Sequence, residues 1–417
     1  MGMDLQAIDR LAAGSQRVLS GLARRAVIAL GGGMLGIWAL PACTQPAKPP
    51  LGPVELPFFG LVMNRASGKP PWPTVPFGSW RLWDTYVTWP LLEREPGRWD
   101  FTALDNMVAD AAEHKVNVLM PLAHSPKWAS ARPDEPGAYA PGSVAEPARI
   151  EDWRHYVRTV GTRYKGRIVE YQVWNEPSDR THFSGTVEKL VELTCEASRI
   201  LKSIDPAIRI VSAGSAGGGG HIRYLDRFLA AGGASCIDVV AHHFYVPRLA
   251  PEAMVPLIRE VKSVMHKNGV GHLPLWNTET GWWITNTDGV PDPASMTKGG
   301  WRKLDADQEL GAVIQRVFLL SRAEGVERVY WYSWANTIFG LADASGKPKP
   351  ATRYWNDMAS RMLGATSVTC ALAAPNFSCR LKDAKTRASD ITWYDETALT
   401  NREGAATAPA SDRAMPR

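Results

Sequence analysis

The sequence predicts an α/β fold, a (β/α)8 TIM barrel with a small C-terminal β element, and three observations carry that reading. Eight short β-rich runs lie between Pro57 and Asn336. Segments with apolar residues three and four apart separate them, the alternation that accompanies parallel strand pairing. No Gly-x-Gly-x-x-Gly follows the first run, so the competing doubly wound sheet lacks its main signature.

The amino terminus reads as an address. Arg24-Arg25 precede an apolar stretch from Ala26 to Leu40. That stretch falls short of the ~20 residues a spanning helix needs, and a charged segment before an apolar run reads as an export signal. Leu40-Pro41-Ala42-Cys43 resembles a bacterial lipobox, which implies cleavage after residue 42 and a lipid anchor on Cys43. Thr44 in the next position favours the periplasmic face of the outer membrane. Residues 1–42 are thus expected to be a signal peptide and 43–56, rich in proline, a tether.

The eight runs are Pro57–Asn64, Trp80–Thr85, Asn117–His124, Ile168–Pro177, Ile208–Gly214, Asp238–Val246, Pro274–Trp282 and Val329–Asn336. Helical patterns cover Phe101–His114, Trp153–Tyr164, Thr186–Ile204 and Asp307–Glu324. In the first of these, Leu104, Met107, Val108, Ala111 and Ala112 share one face. Thr186 suits an N-cap, and Asp205-Pro206 a stop. Gly217 to Gly220 lacks the lysine of a phosphate loop and reads as a flexible loop. The barrel is expected over 57–360, ending with a helix at Tyr354–Leu363.

Beyond it, Ser367–Leu372, Phe377–Lys382 and Ile391–Tyr394 read as strands of a β element over 361–400. Residues 401–417, rich in Ala, Pro and Ser, are expected to be disordered. Apart from Cys43 there are four cysteines, an even number that permits disulfides in an oxidising compartment. Cys370 and Cys379 flank Ala374-Pro375-Asn376 and are expected to staple a hairpin. Pairing of Cys195 with Cys236 is left open.

Composition excludes several classes. With 45% hydrophobic and 21% charged residues the chain is ordinary globular stock. The net charge of +5 is thinly spread, which argues against nucleic acid as a partner. No C-x-x-C or H-E-x-x-H spacing points to a metal. The 17 Trp against 10 Phe and 11 Tyr are the unusual count, since flat indole plates are common in sugar clefts as well as in large cores.

Polar residues at the carboxyl ends of barrel strands face the site. The fourth run ends Val173-Trp174-Asn175-Glu176-Pro177 and the seventh Asn277-Thr278-Glu279-Thr280-Gly281. These strands stand across a barrel from each other. Two facing carboxyl groups suit glycoside hydrolysis, in which one holds a proton for the leaving oxygen and the other reacts as an anion.

On these residues the chain resembles the clan A glycoside hydrolases and is most similar to family 39 and its relatives. The matching text runs from Arg81-Leu82-Trp83-Asp84 through Leu122-Ala123-His124-Ser125-Pro126-Lys127-Trp128-Ala129 and Trp174-Asn175-Glu176-Pro177 to Glu279-Thr280-Gly281. The resemblance implies that Glu176 is the general acid/base and Glu279 the nucleophile of a retaining mechanism, with carboxyl groups ~5–5.5 Å apart. It implies that Arg81 keeps the nucleophile ionised, Asn175 binds the hydroxyl beside the reacting carbon, and Tyr245 bonds Glu279 while His243 supports the site. Trp334 matches the floor beneath the reacting sugar, and His124 a hydroxyl contact. Alternation turns His242 toward the core. Trp128, Trp282 and Trp283 lie on the same face, where further sugar plates and plain packing are both open.

No cofactor is implied, because the carboxyl pair supplies acid and nucleophile. Long loops at Ser125–Asp152 and Thr285–Asp307 can wall a pocket or flank a groove. The Trp surplus favours endo action, and an anchored relative fits exopolysaccharide production, with the synthesis machinery as a partner. A non-catalytic polysaccharide-binding lipoprotein and a transglycosylase using the same residues stay as alternatives.

Overall fold

The computed structural model describes residues 51–64, 71–286, 289–385 and 387–395. The expected signal peptide, the lipidation site Cys43 and the tail over 401–417 lie outside the described residues. The barrel strands are β1 (Phe59–Val62), β2 (Ser79–Arg81), β3 (Asn117–Leu122), β4 (Glu170–Val173), β5 (Arg209–Val211), β6 (Val240–His243), β7 (Leu275–Thr280) and β8 (Val326–Tyr332). Each overlaps its expected run. All pair in parallel, in the order β5-β4-β3-β2-β1-β8-β7-β6. A bridge between Val211 and Val239 closes the ring, beside a bond from the Ser212 amide to the Val239 carbonyl at 3.0 Å.

Seven main helices follow β2 to β8 in turn: α1 (Thr102–Glu113), α2 (Ile150–Arg163), α3 (Val187–Ile204), α4 (Gly220–Ala230), α5 (Met254–Lys267), α6 (Gln308–Ala323) and α7 (Thr352–Met362). Among the described residues none follows β1. Thr186 caps α3 by accepting from the Lys189 amide, and Pro206 follows its end because proline cannot continue a helix. Gly161 lets α2 and α3 approach closely, since a Cβ there would meet Leu201 at 2.6 Å. The glycine run is more than a loop: Gly220 opens α4, and the Gly217 carbonyl faces His242 Nε2 at 2.6 Å.

Side chains alternate across each strand, so two cores form. Leu119, Val211, Val239, Ala241, Trp276 and Tyr330 fill the barrel. The larger core lies between strands and helices. Low in the barrel Glu170 pairs with Arg328, whose guanidinium lies over Trp276. No described helix is long and apolar enough to cross a membrane.

An antiparallel sheet of β9 (Ala365–Ala373), β10 (Asn376–Asp383) and β11 (Ala388–Tyr394) follows. Cys370 stands opposite Cys379 and is bonded to it. Cys195, on α3, is bonded to Cys236. The sheet is fastened to the barrel through Arg316, which bonds Asp395 and Glu252, while Trp393 donates to Glu252. The end of the expected tether is part of the fold. Val54 is buried, and its backbone bonds Gly364 and Ala365.

Candidate active site

Backbone strain concentrates where strands end. Asp84, Tyr86, His124, Trp174 and Glu176 all have positive φ, a conformation that costs energy in non-glycine residues and clusters at functional sites. The φ of +70° at Trp174 takes the chain out of β4. It thereby throws Asn175 and Glu176 over the barrel mouth. A register irregularity between Asn277 and Thr280 does similar work in β7. Trp276 belongs to the inner core and Thr278 bonds the inward Gln172, so strict alternation would turn Glu279 outward. The bulge re-aims it.

Glu279 is 7% exposed. Its Oε2 accepts from Arg81 Nη1 at 2.7 Å and its Oε1 from the Tyr245 hydroxyl at 2.9 Å. Arg81, fully buried, also donates through Nε to Gln172 and through Nη2 to Asn175. Burial pushes the Glu279 carboxyl upward, and the Glu176 carboxyl adds to the push, while His243 and Arg81 oppose it. The Tyr245 phenol is raised well above 10 by burial and by both glutamates. It therefore stays a donor.

Glu176 is equally enclosed. His243 Nδ1 lies 2.9 Å from its Oε1, and His182 Nε2 lies 3.4 Å from its Oε2. Burial pushes His243 down to about 3, so its imidazole is neutral. Gly214 makes room for that ring: a Cβ there would sit 2.4 Å from Nε2. With no partner for Nε2, the imidazole proton belongs on Nδ1, where it is donated to Glu176. One atom from each of Glu176, His243 and Glu279 lie within 4.8 Å of one another. A cation among them would face the Arg81 guanidinium, which already donates to Glu279 Oε2. The arrangement suits proton and carboxyl chemistry instead.

The aromatic expectations need correction. Trp282 is fully buried, donates to the Leu249 carbonyl and stacks on Trp331. It has no face to offer a sugar. Trp334 is also fully enclosed, because the chain after it folds back and bonds to its backbone, so it packs the core and is no exposed floor. Trp283 packs with Met296 and Phe339. Trp128 is half-buried and tied to the Glu93 carbonyl. His124 is 1% exposed, set among Trp83, Tyr139 and Trp174. Those rings enclose it. His242 is buried against Phe244, away from the mouth.

Other residues reach the site without having been singled out. Asp84 accepts from the Tyr332 hydroxyl at 2.7 Å and from Tyr139 at 3.2 Å, and Asn64 donates to Tyr332. Tyr332 shares the inward parity of Tyr330, a signal the sequence does carry. His182 lies in an irregular turn after Glu176, where no periodicity announces it.

No family model matches the chain, and no curated protein matches it in sequence. Solved structures share its fold. A family 39 glycoside hydrolase from the gut symbiont Bacteroides cellulosilyticus WH2 is 19% identical, with TM-score 0.62, over 82% of this chain and 71% of that one. A monomeric β-xylosidase from Caulobacter crescentus CB15 is 18% identical, TM-score 0.57, over 79% and 74%. The GH53 catalytic domain of Ignisphaera aggregans is 17% identical, TM-score 0.53, over 74% and 99%. At such identities the likeness establishes the barrel.

Proposed function

We propose that the chain is a retaining glycoside hydrolase that cleaves O-glycosidic bonds in a polysaccharide. The observation that carries this reading is the pair Glu176 and Glu279, with carboxylate oxygens within 4.8 Å across the barrel mouth and unequal partners. Glu279 has a fixed cation and a phenol donor, the surroundings of an anionic nucleophile. Glu176 faces the imidazoles of His243 and His182, which suits a group that must hold and release a proton. Inverting enzymes need ~6.5–9.5 Å to fit a water between their carboxyl groups. Here Glu279 attacks the anomeric carbon while Glu176 protonates the leaving oxygen. Glu176 then takes a proton from the water that releases the sugar. Asn175, held by Arg81, is placed to bond the adjacent hydroxyl.

The similar structures named as glycoside hydrolases support the chemical class. An endo-acting role in exopolysaccharide production, from a lipid anchor at Cys43 on the periplasmic face of the outer membrane, belongs to the same proposal. Its support is the Leu40-Pro41-Ala42-Cys43 motif, the two long loops and two disulfides of the kind exported proteins keep.

The test is digestion of a polysaccharide panel, with products sized by mass spectrometry and their anomeric configuration read by NMR. Retained configuration and internal cleavage are expected. Glu176→Gln and Glu279→Gln should each remove turnover by orders of magnitude. Full activity in either variant, or inverted products, would refute the assignment.

A further inference from the structure

We infer that His182, oriented by Asp179 and Thr181, is a positioning residue that shares one proton with Glu176 and keeps it on the acid until a glycosidic oxygen arrives. This rests on reading Glu176 as the acid/base. The turn Glu176–Phe183 folds back on itself: the Asp179 amide bonds the Glu176 carbonyl, and the His182 amide the Asp179 carbonyl. Trp174 Nε1 donates to the His182 carbonyl at 2.9 Å. His182 is 6% exposed, and its Nε2 faces Glu176 Oε2 at 3.4 Å.

The imidazole tautomer follows from its other side. Thr181 donates its hydroxyl hydrogen to Asp179 Oδ1 at 2.8 Å, so the Thr181 oxygen can only accept from His182 Nδ1, 3.3 Å away. Asp179 Oδ2 lies 3.7 Å from the same nitrogen. Although burial opposes it, bonds from His182 and Thr181 hold the Asp179 carboxyl well below the usual range. An ionised Asp179 thus draws the proton to Nδ1. The neutral ring then presents a bare Nε2 to Glu176.

That nitrogen pairs with both states of the acid. A protonated Glu176 donates from Oε2 to bare Nε2; an ionised Glu176 accepts from an imidazolium. His243 differs, because its Nδ1–H is committed as a donor to Oε1, which leaves Oε2 as the oxygen that carries the proton. In the first chemical step that proton passes from Oε2 to the leaving oxygen, and the pair is empty. In the second step water gives a proton back to Oε2 and its hydroxide to the sugar. His182 also faces the Tyr139 ring, edge-on at 6.3 Å, with the neutral His243 across Glu176.

The experiment is a nitrogen-15 imidazole NMR titration of the whole chain, with the His182 signal assigned through His182→Gln. In the wild type a neutral His182 protonated at Nδ1 is expected; an Nε2–H tautomer overturns the inference. Asp179→Asn should weaken the preference for Nδ1–H, because a neutral amide at that place can donate to Nδ1 as readily as accept from it. An unchanged Nδ1–H tautomer in Asp179→Asn overturns it too. On a glycan that the wild type cleaves, His182→Gln should lose at least tenfold more rate with a sugar leaving group than with dinitrophenolate, which needs no proton. Equal losses point to a structural role and also sink the idea. A wild-type chain inert on every glycan sinks the hydrolase reading, while the titration still decides the pairing.

Discussion

Arg81 and Glu279 stand 2.7 Å apart with the arginine side chain fully buried, and that arginine spends all three nitrogens on three different acceptors. Nε, Nη1 and Nη2 reach Gln172, Glu279 and Asn175 respectively. One planar fork therefore sets the charge of the nucleophile and the position of Asn175 together. Lysine has no such fork. Arg81→Lys should reduce kcat at least tenfold. Arg81→Met should reduce it much further and cost about 3–5 kcal/mol of stability, because it leaves a buried carboxylate uncompensated. Burial already pushes Glu279 upward and Arg81 opposes that push, so the acid limb of the rate profile should move to higher pH in Arg81→Met. Rate profiles with thermal unfolding curves check both claims. An unmoved acid limb would mean that the guanidinium does not govern the nucleophile.

Tyr245 adds the second donor to Glu279, at 2.9 Å. A hydrogen bond to a charged group is worth about 1.5–3 kcal/mol. Tyr245→Phe should therefore lower kcat/KM by roughly ten- to a hundredfold while shifting the melting temperature little, since the ring still fills its place. A loss in stability that matched the loss in rate would assign the phenol to packing instead.

Much of the barrel and its pair of acidic residues is legible in the sequence. Eight alternating runs announced the barrel because strand and helix periods differ, and Glu176 and Glu279 stood out as charges at the ends of apolar strands. What stayed hidden depends on tertiary folding. Glu279 faces inward through a bulge that breaks the alternation from which parity is read. Trp282 and Trp334 were placed on the sugar side by position along the chain, but loops folding over the strand ends bury both. Asp84 meets Tyr332 and Tyr139 from distant parts of the chain, and no local pattern encodes such a meeting. His182 sits where it does because a turn doubles back on Glu176.

The two disulfides close loops of different size. The sequence separation is 41 residues for Cys195–Cys236 and 9 for Cys370–Cys379. On a chain-entropy account these constrain the unfolded state by about 4 and about 3 kcal/mol. Replacing Cys195 and Cys236 together by Ser should lower the unfolding midpoint more than replacing the hairpin pair. Neither change touches the site, so turnover well below the melting temperature should stay at the wild-type level in both. A larger loss from the hairpin pair would show that the small sheet supports the barrel more than loop closure implies.

His242 and His243 link stability to pH. Burial pushes each of them down to about 3, against about 6.5 in an unfolded chain. Between those values the unfolded state binds a proton at each histidine and the folded state does not. The stability they contribute is thus fully present above about pH 6.5 and is lost as the pH falls toward 3, at about 1.4 kcal/mol per pH unit for each ring. His242 is the cleaner probe, because it faces the Gly217 carbonyl and not the acid/base. His242→Gln keeps an amide donor for that carbonyl and removes one titrating ring. Denaturant unfolding from pH 7 to pH 4 should then show a slope shallower by about one proton's worth, with activity at pH 7 little changed. A slope identical to the wild type would mean that His242 finds water or a proton inside the folded chain.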